Sequence, residues 1–128
     1  MPTSQFKQAV ENILTRDSRF ELEAYLLLSD ALGYAVKKVN QDSTNHRHVS
    51  AQELLEGFRS LALKQYGPMA ITLLSEWGVS STEDIGDMVF LLIDEGIFGK
   101  QEQDQREDFS GNYSFQEAFV TPFEPKKK

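Results

Sequence analysis

Two histidines, several grouped carboxylates and one arginine near the C-terminal third are the residues whose types and spacing can do chemistry in this chain. His46 and His48 flank Arg47 within the polar run NQDSTNHRHV at 40–49. Two imidazoles two residues apart can share a metal ion, with Asp42 as an oxygen ligand. A structural zinc site takes four ligands, however, and the chain has no cysteine, so a solvated loop accounts for these residues more simply. Glu83 and Asp87 stand at i,i+4, and Asp94 and Glu95 are adjacent. Such a pair does general acid–base work when burial drives its two pKa values apart. The simpler reading is a solvated rim on a buried helix, with Glu83 and Asp84 favoured by the positive helix N-terminus. Arg106, in REDF, can clamp a partner's carboxylate bidentately or pair internally with Asp87, Asp94 or Asp104, and the internal pair is favoured. There is no GxxxxGK[ST] loop, no GxGxxG and no GxSxG, and two histidines without cysteine leave few routes to an activated nucleophile.

The elements that must position these groups are helices. Ser-x-x-Glu recurs at Ser18/Glu21, Ser50/Glu53, Ser80/Glu83 and Ser114/Glu117, the pattern of a capping box. Gly67, Gly78 and Gly96 fall where helices should stop, because glycine accepts the left-handed conformation just past a helix end. Five helices result, over about 4–16, 19–39, 51–66, 68–77 and 81–95. Helix two carries the stripe Tyr25, Leu28, Leu32, Val36 and Val39, with Ser29 and Gly33 leaving room for a close neighbour. In helix three Leu54, Leu55, Phe58, Leu61, Ala62 and Tyr66 share one arc, while Gly57 lies off that arc and can admit a close partner. Leu63, with Gln52, Glu56 and Arg59, can form a contact surface. Helix five is apolar nearly all round and is expected to be central.

After Gly96, five of the fourteen aromatic residues fall between Phe109 and Phe123, a density uncommon in disordered segments. Short strands or extended arms are expected at 97–100 and about 112–115, joined through a Ser110-Gly111-Asn112 turn, with a short helix near 115–120. The fold class is thus mainly α: a five-helix bundle with a small C-terminal β-hairpin or aromatic arm over about 97–123, one domain over 1–123, and a frayed lysine tail at 124–128. This order resembles that of a winged helix. The chemistry argues against DNA binding through 81–108, because residues 68–108 hold two basic residues against ten acidic ones. An acidic, mostly buried helix would be repelled by phosphates rather than read a groove.

The runs HVSAQELLEG (48–57), QYGPMA (65–70), EWGV (76–79), the ED-I-G-D-MVF-L segment (83–91) and REDF (106–109) resemble those of a small, functionally unassigned bacterial single-domain family. The likeness spans about Phe6 to Phe123 and implies a single-domain bacterial protein, with no activity, cofactor or catalytic residue attached.

The net charge of −7, no apolar run near ~20 residues and no basic-then-apolar leader give the expectation of a cytoplasmic protein without a membrane span. The favoured function is a non-enzymatic protein-interaction module with an acidic surface, taking a protein partner such as a basic region and no cofactor. The candidate interaction residues are His46, Arg47, His48, Arg59, Leu63, Asp87, Asp94 and Arg106. The alternatives are a winged-helix-like nucleic-acid binder using Arg47, His48, Arg59 and Lys64 of the 46–64 face, and an enzyme using the helix-five carboxylates. A homodimer through helix three or the aromatic arm stays open.

Overall fold

The structure, a computed structural model, describes residues 4–40, 49–99 and 106–124. Five α-helices carry it: α1 (Ser4–Arg16), α2 (Leu22–Val39), α3 (Ala51–Tyr66), α4 (Ala70–Glu76) and α5 (Thr82–Asp94). A 3₁₀ turn, Gly67–Met69, links α3 to α4; after α5 come two further 3₁₀ turns, Arg106–Phe109 and Thr121–Phe123, and between them a short π-helix, Gln116–Val120, where a short helix was expected. The described residues contain no strand.

The start signals act unequally. Ser50 accepts from the Glu53 N–H (3.1 Å), and the Glu53 carboxylate accepts from the Ser50 N–H (3.0 Å), so the capping box of α3 is complete. At α5 the cap moves one residue on: Ser81 accepts from the Asp84 N–H, and the Asp84 carboxylate reaches back to the Ser80 N–H. Ser114 accepts from the Glu117 N–H at the start of the 116–120 helical stretch. Ser18 caps nothing, and α2 begins at Leu22 instead of 19. The reason is tertiary: the Glu21 N–H donates to the Trp77 carbonyl (3.1 Å), which holds residues 17–21 as a link docked on the turn after α4. Gly78 in that turn has φ +89°, and a Cβ there would stand 2.1 Å from the Arg19 carbonyl oxygen.

The two longest helices, α2 and α3, make the most extensive contact in the fold. A Cβ on Gly57 would stand 3.1 Å from the Ala35 Cβ and 3.2 Å from the Ala31 carbonyl oxygen, so Gly57 lets the two backbones approach closely. The buried face of α2 is accordingly Ala24, Tyr25, Leu27, Leu28, Ala31 and Ala35. Val36 is 40% exposed and Leu32 half-buried, which corrects the expected stripe, and Gly33 has open space where a close neighbour was expected.

Helix α5 packs against α1 and the 106–109 turn, with Ile85, Met88, Val89 and Leu92 buried. Phe90, Leu91 and Ile93 are only partly buried, so the helix is not enclosed all round. Phe109 is 2% exposed and its ring meets Phe90 edge-on at 6.3 Å. A Cβ on Gly86 would stand 2.7 Å from the Phe109 Cβ, so α5 accepts this ring only where it has no side chain.

The expected hairpin does not form among the described residues, because its two arms are drawn to different partners. The Ile97 and Phe98 N–H groups both donate to the Leu92 carbonyl, folding 97–98 back onto the end of α5. The other arm is held by α3 and by its own rings: the Tyr113 hydroxyl donates to the Leu55 carbonyl (2.8 Å), Tyr113 stacks on Phe115, and Phe115 meets Phe119 edge-on at 5.0 Å. Between them Gly111 turns the chain at φ +66°, and the Asn112 side chain donates to the Asp108 carbonyl. The aromatic segment therefore covers the bundle as short turns, without a wing; Phe123 is the exception, at 46% exposure.

Two substitutions test this packing in urea unfolding. Gly86→Ala is expected to lower stability by about 1–3 kcal/mol, because the new Cβ meets the Cβ and Cγ of Phe109. An unchanged Gly86→Ala midpoint would show that the ring is seated elsewhere. Tyr25 is fully buried and its hydroxyl meets no hydrogen-bond partner among the described residues. Tyr25→Phe is thus expected to leave stability unchanged or raise it by about 1 kcal/mol, since an unsatisfied buried hydroxyl is removed without loss of volume.

Candidate functional site

The carboxylates of α5 and its exit are the largest group of functional side chains that the fold presents. No lysine or arginine occurs from residue 68 to residue 99, where six Asp and Glu residues lie. Their compensation comes from the other end of the chain. Arg16 at the end of α1 pairs with Glu95 (2.7 Å), and Asn12 donates to the same carboxylate (3.2 Å). Arg19, in the 17–21 link, pairs with Asp17 (2.9 Å) and Asp87 (3.1 Å) while its guanidinium lies 4.9 Å from the centre of the Phe20 ring. Glu76, Glu83, Asp84 and Asp94 form no ion pair among the described residues. Glu83 accepts from the Ser110 hydroxyl (3.0 Å), which ties the start of α5 to the turn after Phe109.

At 100° per residue, Glu83, Asp87 and Asp94 fall within an arc of roughly 40°. Glu83 and Asp94 are exposed at its two ends, and Asp87 is half-buried between them under Arg19. Charge titration here runs opposite to what a general acid needs. The backbone N–H of Glu83 and then the Ser110 hydroxyl hold the Glu83 carboxyl below its ordinary value. Arg16 and then Asn12 do the same to Glu95. A carboxylic acid that donates a proton near neutrality needs its pKa raised by burial, and these are lowered by donors.

A second feature lies between α2 and α3. Because the helices meet at Gly57 and alanines, larger side chains on either flank stand up as walls of a groove of about 160 Å³. Tyr34, Lys38 and Val39 line it from α2, and Glu53, Glu56 and Ser60 from α3. Small-molecule pockets run to roughly 300–1,000 Å³, so this groove holds a side chain rather than a whole cofactor. At its edge Arg59 pairs with Glu56, whose carboxyl the guanidinium lowers.

The expected site residues separate into sets that the fold keeps apart. Asp87 and Asp94 ride on α5, whereas Arg59 and Leu63 ride on α3, and Leu63 packs partly buried against the core instead of forming a free contact. Arg59 is engaged by Glu56, which removes it as an unpaired cation for phosphate, while Lys64 is exposed. His46, Arg47 and His48 lie outside the described residues, as does the Arg106 side chain and with it the expected internal ion pair. Among the described residues no group of three or more His, Asp or Glu is arranged to hold a metal ion, and no helix is long and apolar enough to cross a membrane. Arg16, Arg19, Tyr34 and Lys38 are not indicated by sequence pattern: Arg16 and Arg19 meet Glu95 and Asp87 far along the chain, and Tyr34 and Lys38 line a groove whose other wall is a neighbouring helix.

No protein-family model matches the chain, and neither the curated proteins nor the solved structures give a significant match.

The link between Arg19 and the carboxylates has a pH signature. Arg19 holds the Asp17 carboxyl below its usual 3.8. A carboxyl lowered in the folded state contributes stability above its unfolded pKa and loses it as pH falls through the folded value. Asp17→Asn is therefore expected to be less stable than wild type by about 0.5–1 kcal/mol near pH 7, with the gap closing as pH drops below about 4. Thermal unfolding from neutral to acidic pH checks this, and a gap independent of pH would remove the ion pair as its cause.

Proposed function

We propose that this chain is a non-enzymatic protein-interaction module that takes a basic segment of another protein along the outer edge of α5. The observation that supports this reading most is the placement of Glu83 and Asp94. They are exposed on one edge of the helix, without an ion pair among the described residues, in a stretch that supplies no cation of its own. Eleven residues at 1.5 Å each separate them by about 16 Å along the axis. That span exceeds the Debye length of about 8 Å at physiological salt, so each carboxylate acts on its own cation rather than both on one. A partner with lysines or arginines spaced to match meets one at each end, while Asp87 between them is already compensated by Arg19. Acidic edges of this kind speed encounter with basic partners and set orientation more than they add affinity. The lowered carboxyls at Glu83 and Glu95 favour this role over acid–base catalysis. The absence of cysteine fits work in a reducing compartment such as the cytoplasm.

The test is affinity capture with wild-type protein beside a Glu83→Lys/Asp94→Lys variant, both shown to be folded. Proteins with basic segments are expected to be enriched by wild type and lost with the variant. Their retention should fall steeply when salt is raised from about 50 to 300 mM, because exposed charges are screened. Equal capture by both forms would remove the α5 edge as the binding surface.

A further inference from the structure

We infer that a second copy of this chain docks over the α2–α3 groove, with Lys38 of each copy meeting Glu56 of the other. The groove has walls of opposite sign. Lys38 stands on the α2 wall, with Lys37 exposed beside it, and Glu53 and Glu56 stand on the α3 wall. A two-fold interface places the same patch against itself, so that residue i meets j and j meets i. A patch of one sign repels its own copy. A patch with a cationic wall and an anionic wall attracts it when the two-fold runs along the groove, because that axis sets the α2 wall of one copy against the α3 wall of the other. A different partner would have to reproduce both signs at this spacing, whereas the second copy carries them already.

The apolar side of the contact is present as well. Val36 is 40% exposed, one of three large apolar side chains so exposed among the described residues, and it lies one helical turn before Val39 in the groove wall. The Gly57 crossing keeps the floor low, so a side chain of the second copy can seat in it. Arg59 does not exhaust Glu56: an ionised carboxylate offers about four lone-pair sites, two Arg59 donors and the Ser60 hydroxyl take three of them, and Lys38 of the same chain acts on this carboxylate through space without an ion pair among the described residues. This surface lies on α2 and α3, away from the α5 edge assigned above to a basic partner, so either assignment can fail without the other.

Sedimentation equilibrium over about 10 μM to 1 mM tests the inference on the whole chain, a range that covers weak, transient association. A monomer–dimer equilibrium that weakens with salt is expected. Lys38→Glu and Glu56→Lys should each raise the dissociation constant by about tenfold or more, since each brings like charges together. The combined Lys38→Glu/Glu56→Lys chain should recover most of the wild-type association. Both positions are exposed, and circular dichroism confirms that the variants are folded. A monomer throughout the range, or single variants that associate as wild type does, overturns the inference and leaves the groove to an unlike partner.

Discussion

The close crossing of α2 and α3 is the constraint on which the remaining structure rests. These are the two longest helices, and they approach each other where Gly57 faces Ala31 and Ala35. Small residues at a crossing let the backbones come near, and larger neighbours must then pack to either side. On the inner side those neighbours are Tyr25, Leu28, Leu55 and Phe58, all essentially buried. On the outer side they are the walls of the groove. One glycine in a helix interior, unfavourable by about 1 kcal/mol against alanine on propensity alone, therefore sets both the depth of the core and the relief of the surface.

The second level of organisation is the closing of the chain upon itself by its ends. The C-terminal aromatics dock on elements laid down much earlier: Phe109 on Gly86 of α5, and Tyr113 on the Leu55 carbonyl of α3. From the other direction, Arg16 and Arg19 reach α5 across 79 and 68 residues of sequence. Helix α5 is thus held on one flank by rings and on another by guanidinium groups. What its edge leaves for other molecules is the remainder after both have taken their share.

Much of this was legible in the sequence, and the residues show why. The five helices follow from local signals, since a cap such as Ser50 with Glu53 and a stop such as Gly78 act within a few residues. The failures occur where tertiary partners override those signals. Ser18 with Glu21 is as good a capping pattern as any, yet Glu21 gives its N–H to Trp77 and α2 starts later. The residues around 97–100 and 112–115 suit strands, yet the Leu92 carbonyl takes the Ile97 and Phe98 N–H groups and the Leu55 carbonyl anchors the Tyr113 hydroxyl. The same division holds for the functional surface. The acidic character of 68–99 is read directly from composition, and Asp94 stands in the open as expected. The neutralisation of Asp87 by Arg19, and the meeting of Lys38 and Glu56 at one groove, depend on where distant segments are brought together, which no local pattern encodes.

The joint between the 17–21 link and the turn after α4 also carries the chain's only indole. Trp77 meets Tyr66 edge-on at 5.8 Å, and its carbonyl accepts the Glu21 N–H. Its emission therefore reports on the seam where the first two helices are fastened to the middle of the chain. A shift of that fluorescence ahead of the loss of helical ellipticity would reveal the seam parting before the helices themselves dissolve.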